Sequence, residues 1–211
     1  YIDTLNIDLV ATTLDFKYGN NFSCETNNKN ISCGFEDTKF IVKENKNNLL
    51  TSDESELVVT VPDKEYNSII FDTGAGKITV DTMKTQKLDF DLGAGIITIN
   101  DLNAFNSAKI NTGAGKTLIQ NGNISNLDLD MGVGEVIVNT ILTGNNKLDA
   151  GIGSLKINLM DSLNNYTFNI SKGLGAITLN GSQSSDNQII GTGNNTISVE
   201  GGIGSINIVT K

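Results

Sequence analysis

Residues 111–120 read NTGAGKTLIQ, and Gly115, Lys116 and Thr117 are the residue types that close a phosphate-binding loop. That loop needs another glycine five residues ahead of its Gly-Lys, so that backbone N–H groups can cradle phosphates, and a helix directly after it. Ile110 occupies the first place, and the following TLIQNGNI alternates like a strand running into a turn. The sister stretch TGAGKIT at residues 73–79 has Phe71 in the glycine position and Ile78 after its lysine. Neither copy is built to bind a nucleotide. A calcium-binding β-roll is the next candidate, because IIGTGNNTI at residues 189–197 is similar to one of its nonapeptides. Asn195 stands where the charged ligand belongs, however, and GGIGSINI at residues 201–208 has Ile206 at the corresponding place. A hard cation there loses its best oxygen donors.

The carboxylates are harder to set aside. Asp72, Asp91, Asp130 and Asp149 each stand two residues before a glycine pair, where related stretches have Asn111, Ser171 and Glu200. One reading makes each side chain the acceptor of an N–H two residues on, an Asx-turn that Asn and Ser can also form. The sharper reading makes the stacked carboxylates a weak divalent-cation site. Paired carboxylates also serve glycoside hydrolysis, so a carbohydrate-active enzyme on a β-helix scaffold stays as an alternative. Composition weighs against it. The chain has no His, Arg or Trp, hence no imidazole base, no usual zinc site, no guanidinium clamp and no indole platform for a sugar. No catalytic residue, cofactor or metal is therefore assigned, and the protein is expected not to be an enzyme. A net charge of -9 argues against nucleic acid and against an anionic membrane surface. Ice binding would need a flat threonine array, and Thr79, Thr98 and Thr178 share a position interrupted by Leu118, Ile137 and Lys156.

The elements that carry these residues follow from a repeat. Gly-x-Gly recurs as Gly74 and Gly76, Gly93 and Gly95, Gly113 and Gly115, Gly132 and Gly134, Gly151 and Gly153, Gly173 and Gly175, and Gly202 and Gly204, with spacings of 19, 20, 19, 19, 22 and 29. Removing Gly181–Ile190 from the last gap restores a step of about nineteen, so that segment reads as an inserted loop. Counting from the first glycine of each pair, position -3 is apolar in all seven copies, and so is +6. Position -5 is apolar except for Asn146, and +4 is apolar except for Thr117. Apolar residues two apart on both sides of a glycine pair predict two half-buried strands joined by a tight turn. The glycines are structural in this reading, giving the turn positive φ or close approach between stacked chains. Nineteen residues are too few for a strand-helix-strand crossover but suit one rung of a solenoid.

The predicted fold is therefore all-β: a single-chain parallel β-helix with rungs of about 19 residues. Its hand is not written in the pattern, and right-handed crossovers are the general rule for parallel connections. In such a stack, equivalent residues become neighbours about 4.8 Å apart. Position -4 alternates in sign through Asp89, Lys109, Asp128 and Lys147, and +7 reads as a polar ladder through Asp81, Asn100, Gln120, Asn139, Asn158 and Asn180. Position +1 grows from Ala75, Ala94 and Ala114 to Val133, Ile152, Leu174 and Ile203, which suggests a corner whose interior widens toward the C-terminus. Thr117 marks the third rung as the place for a local core defect.

The domain reading is one β-solenoid over residues 1–211, with 1–56 as atypical coils and cap and 57–211 as glycine-marked rungs; a separate small N-terminal β-domain is the alternative. LNIDLVATTLDFKYG, residues 5–19, has the apolar-turn-apolar form without the glycines. Cys24 and Cys33 flank ETNNKNIS, which reads as a hairpin turn. A disulfide across it would imply an oxidising compartment, and two free thiols are the other reading. No apolar run approaches the roughly 20 residues of a membrane span. The start at Tyr1 suggests a signal peptide, membrane anchor or tag upstream.

The repeats FDTGAGKITV, FDLGAGIITI, LDMGVGEVIV, LDAGIGSLKI and VEGGIGSINI, together with LVVTVPDKEYNSIIFDTGAG, resemble the bacterial putative-adhesin β-helix family, a domain of unknown function. The likeness covers residues 57–211 well and the N-terminal part in general form. It implies a cell-surface or cell-envelope protein, often behind a signal or membrane segment, and gives no functional residues to carry over. The expected function is accordingly a non-enzymatic, extracellular or envelope-associated β-solenoid, an adhesin or interaction module for a protein or glycan, with oligomeric state left open. A structural spacer that associates end to end through GSINIVTK at its last rung is a further alternative.

Overall fold

The computed structural model describes residues 1–45 and 55–211. Over these the chain is all-β, with one 3-10 turn at Leu163–Asn165, and its strands join in one open sheet. The N-terminal third supplies β1 (Thr4–Ala11), β2 (Thr13–Gly19), β3 (Ser23–Thr26), β4 (Ile31–Glu36), β5 (Lys39–Glu44) and β6 (Glu56–Pro62). The centre is β7 (Tyr66–Ile119), β8 (Gly122–Ser125), β9 (Leu127–Thr143) and β10 (Asn145–Leu159). The C-terminal part is β11 (Tyr166–Ser171), β12 (Ala176–Leu179), β13 (Ser182–Gln183), β14 (Gln188–Gly191), β15 (Asn195–Glu200) and β16 (Ile203–Thr210). β7 runs through three glycine corners without a break in strand structure, so it packs back on itself: Oγ1 of Thr73 donates to the Asp91 carbonyl at 3.4 Å.

Successive repeats pair in parallel at the spacing of the glycine pattern, with Leu129 beside both Ile110 and Leu148, and Val138 beside both Ile119 and Ile157. Every residue at -5, -3, +4 and +6 is buried, and together they build one contiguous apolar core from Leu5 to Ile208. Two of those buried positions are polar, and they meet opposite fates. Asn146 is satisfied: its Oδ1 accepts the Leu127 N–H at 3.0 Å, and its Nδ2 donates to carbonyls of Thr143, Gly144 and Thr196. Thr117 is buried with no hydrogen-bond partner for its Oγ1 among the described residues, which puts a core defect in the third glycine repeat.

The first five glycine pairs do not sit where a turn separates two strands, as the spacing predicts, whereas in the last two Gly173 and Gly175 lie between β11 and β12 and Gly202 lies between β15 and β16. Gly74, Gly76, Gly93, Gly95, Gly113 and Gly115 all lie inside β7, Gly132 and Gly134 inside β9, and Gly151 and Gly153 inside β10. The correction has a physical reason: the chain bends at the corner while its parallel pairing to the next repeat continues, with Gly134 in register with both Gly115 and Gly153. The two glycines of a pair also differ. The second has the left-handed φ at Gly76 (+139°), Gly95 (+133°), Gly115 (+138°), Gly134 (+141°), Gly153 (+133°) and Gly204 (+143°), but not at Gly175. The first of each pair, from Gly74 to Gly173 and Gly202, lacks that φ and is held to glycine by proximity alone.

Backbone-to-backbone approach holds the corners together. A Cβ built at Gly134 would overlap the carbonyl oxygen of Gly115, one at Gly95 the carbonyl oxygen of Gly76, and one at Gly76 the carbonyl oxygen of Thr12 in the corner before it. Only glycine allows both that conformation and that contact.

The C-terminal repeats do not stack in chain order. β15 pairs in parallel with β10 and β11, and β16 with β10 and β12. The last repeat therefore lies between the two that precede it, and the order of glycine corners in space is 132, 151, 202, 173. The 22-residue step from Gly151 to Gly173 explains how: three residues beyond the usual nineteen let the chain skip one strand spacing of about 4.8 Å. Residues 181–190 are then the return path. After positive-φ residues Asn180 and Gly181, β13 runs antiparallel along β12 and β14 along β11. This corrects the inserted-loop reading, because the segment covers the outer edge of the sixth repeat and brings the chain back to fill the gap.

The N-terminal end uses the same arrangement. β1 lies between β5 and the start of β7, and β2 between β6 and residues 78–80 of β7. β4 covers β5 and β3 covers β6, both antiparallel. Cys24 and Cys33 are bonded, with Cα atoms 6.4 Å apart. Their strands pair with different partners and not with each other, so the bond ties together two edge strands and does not cross a hairpin. At both ends, an antiparallel segment protects what would be an open sheet edge.

At Val10–Thr12 the first corner has no glycine, and the buried Glu44 closes it. Its Oε2 accepts the N–H of Val10 at 2.7 Å, the N–H of Ala11 at 3.1 Å and the Thr12 hydroxyl at 2.9 Å. Asn28 donates to Oε1 at 2.9 Å and to Ser55 at 2.8 Å. A carboxylate thus takes the place of the stacked carbonyls found at later corners.

Two outcomes follow in thermal unfolding. Gly134→Ala should lose about 3 kcal/mol, or roughly 6–12 °C in Tm, whereas Gly34→Ala, whose added Cβ meets nothing within 4 Å, should stay within about 0.5 kcal/mol. Glu44→Ala should lose about 2 kcal/mol by leaving the Val10 and Ala11 donors unsatisfied.

Candidate binding surface

Because alternate side chains of each strand fill the core, the others form outward rows whose members are fixed by backbone register. At -2 the row contains the pairs Asp8–Asp72, Asn111–Asp130, Asp130–Asp149, Asp149–Glu200 and Glu200–Ser171. Asp130 and Asp149 are neighbours as expected, and the inserted last repeat adds Glu200 beside Asp149. Asp8 was not among the candidates, although IDLVA at 7–11 aligns with FDTGA at 71–75 once the glycines are ignored.

None of Asp72, Asp91, Asp130 and Asp149 accepts the N–H of the glycine two residues on, so the Asx-turn reading does not hold. Asp149 instead takes the ammonium of Lys147 at 2.7 Å. That hydrogen bond and the charge behind it, with lesser help from Glu200 and Asp128, hold the Lys147 pKa above its ordinary value. Lys147 stands next to Asp128 in the -4 row but turns to its own strand. Among the described residues no group of three or more carboxylate or cysteine side chains is placed to hold a metal ion. Lys116, the lysine of the phosphate-loop look-alike, faces outward in an ion pair with Glu135 at 2.7 Å.

At +7 the ladder is partial. Asn100 reaches Asp81 at 3.4 Å and Asn158 donates to Asn139, but Val209 stands beside Asn158, and Asn180 instead pairs with Thr210.

The +1 residues do not line an interior. Val133, Ile152 and Ile203 are 53%, 50% and 54% exposed, and Leu174 is 88% exposed. Val133 pairs with Ile152, and Ile152 with Ile203, so the enlarging side chains make an outward apolar ridge along the corner. Sequence periodicity identified the column but not its direction, since a corner breaks the in-out alternation of a strand.

Beside the C-terminal end of the acidic row is an open cavity of about 380 Å³, lined by Asn169, Ser171, Asn187, Ile189, Ser198 and Glu200 among others. Residues 181–190 contribute to it, while the N-terminal strands sit at the opposite end of the sheet. A carbohydrate-active enzyme would be favoured by a cleft of clustered carboxylates between residues 181–190 and the N-terminal segment, and no such cleft forms among the described residues.

Among the described residues no helix is long and apolar enough to cross a membrane. No curated protein matches the chain. A putative cell adhesion protein from Clostridium sporogenes is similar at 16% identity over 99% of this chain and 92% of that one, with a TM-score of 0.35. A putative adhesin from Bacteroides fragilis is similar at 13% identity over 98% of this chain and 92% of that one, with a TM-score of 0.39. At this similarity neither protein's name passes to this chain. The family model for Toastrack DUF4097 matches residues 8–209, nearly the whole sequence, and the chain belongs to that family.

Proposed function

We propose that the chain is a right-handed parallel β-solenoid with rungs of about 19 residues, forming one domain over residues 1–211, and that it acts as a non-enzymatic binding module at the cell surface or envelope. The observation that carries this reading is the -2 row. Like charges stacked across a sheet repel, yet Asp130, Asp149 and Glu200 stand in register, and among the described residues the one ion pair in this row is Lys147 with Asp149. A surface that keeps such a row presents it to a partner. The Cys24–Cys33 bond supports an oxidising, extracytoplasmic setting. The spacer alternative loses its premise, since GSINIVT lies between β10 and β12 and offers no free end for association.

The reading is tested by coating beads with the chain and measuring their retention on intact bacterial cells, isolated cell wall and host-type glycans, with reducing-sugar release followed in parallel. Saturable retention without sugar release is expected. Robust polysaccharide turnover would contradict the non-enzymatic assignment, and no retention on any surface would contradict the binding role.

A further inference from the structure

We infer that the ridge Val133–Ile152–Ile203–Leu174 and the acidic row beside it form one docking site for a cationic amphipathic helix of a partner protein. The inference rests on the binding-module reading and names the surface and the partner's chemistry.

The ridge is the clearest apolar exposure on the repeats. In the N-terminal half the same column is alanine at 75, 94 and 114, and only in the C-terminal half does it enlarge to four adjacent aliphatic side chains, each at least half exposed. A single exposed aliphatic residue needs no explanation, but a contiguous row marks an interaction site. Strand register spaces the row at about 4.8 Å, so four members span about 14 Å, the length of a helix of roughly ten residues.

The neighbours of the ridge select the occupant. Three residues before each ridge member stands Asp130, Asp149, Glu200 or Ser171, within about 10 Å along the chain. Two residues after it stands Glu135, Ser154, Ser205 or Ala176, a flank whose one charge is already paired with Lys116. Lys147 pairs with Asp149 and Lys172 stands beside Ser171, so the site is apolar along its crest, net anionic through Asp130 and Glu200 on one side and largely neutral on the other. A helix about 10–12 Å across, with an apolar face and Lys or Arg along one flank, matches all three strips and is oriented by the asymmetry. An anionic bilayer would be repelled by the acidic row, and a second copy of the chain would bring the same acidic flank to the contact.

The probe is a fluorescent 18-residue Leu/Lys amphipathic peptide titrated into the full chain, with anisotropy as readout. Saturable binding is expected, weakening as salt is raised. Ile152→Ser/Ile203→Ser should weaken it at least tenfold, and so should Leu174→Ser combined with Val133→Ser; these side chains point outward, so each variant should keep the wild-type Tm. Asp149→Asn/Glu200→Gln should weaken it and flatten the salt dependence, whereas Ile96→Ser, an exposed residue off the ridge, should leave it unchanged. Equal binding by the ridge variants, equal binding of a Leu/Glu peptide, or a preference for phosphatidylglycerol vesicles or for self-association through the ridge would overturn the proposal. Such a failure is distinguishable from failure of the binding-module reading, because cell and glycan retention of the ridge variants is measured separately.

Discussion

The structure depends on how closely one corner can approach the next. At the Gly-x-Gly corners the backbone of each repeat lies against the carbonyls of its neighbour, without room for a Cβ, and the second glycine, as at Gly76 and Gly95, takes a φ that other residues avoid. Close approach at the corners lets the strands on either side stay in register, and register in turn sets which side chains share a row. The core columns, the acidic row and the apolar ridge all follow from that constraint.

A stack of this kind must also end without exposing a sheet edge. Both ends solve the problem alike: the terminal strand of the chain sits one place in from the edge, and the outermost strands are covered by antiparallel segments made from residues 23–36 and 182–191. Tucking in the termini ties each end to chain that is distant in sequence. At the N-terminal end the Cys24–Cys33 bond adds a covalent tie, and Glu44 accepts by side chain from the Val10 and Ala11 N–H groups of the first corner.

The periodic part of this design was legible in the sequence because burial alternates with period two and the corner demands glycine. Phe71, Leu129 and Ile157 could be placed in the core from spacing alone, and the exceptional Thr117 could be singled out as a fault. The order of the last two repeats was not legible in the same way. Its signal, steps of 22 and 29 in place of 19, looks like a loop insertion unless one asks how many residues are needed to skip one strand spacing. The first corner was hidden for a different reason: the Glu44 carboxylate meets its Val10 and Ala11 N–H groups, no residue of Val10–Thr12 takes a positive φ, and the motif that marks other corners disappears. Asp8 went unnoticed with it. The outward direction of Ile152 and Ile203 lay beyond pattern reading altogether, because strand alternation does not extend through a corner.

Cysteine cross-linking tests directly whether the last repeat lies between the two before it. Ser154 and Ser205 are register neighbours, as are Ala176 and Ser205, which places each pair about 4.8 Å apart, within disulfide reach. Ser154 and Ala176 are separated by two spacings, about 9.6 Å, beyond that reach. Mild oxidation followed by non-reducing mass spectrometry should show a 154–205 bond in the Ser154→Cys/Ser205→Cys chain and none in the Ser154→Cys/Ala176→Cys chain. A 154–176 bond without a 154–205 bond would mean that the repeats stack in chain order, contradicting the account.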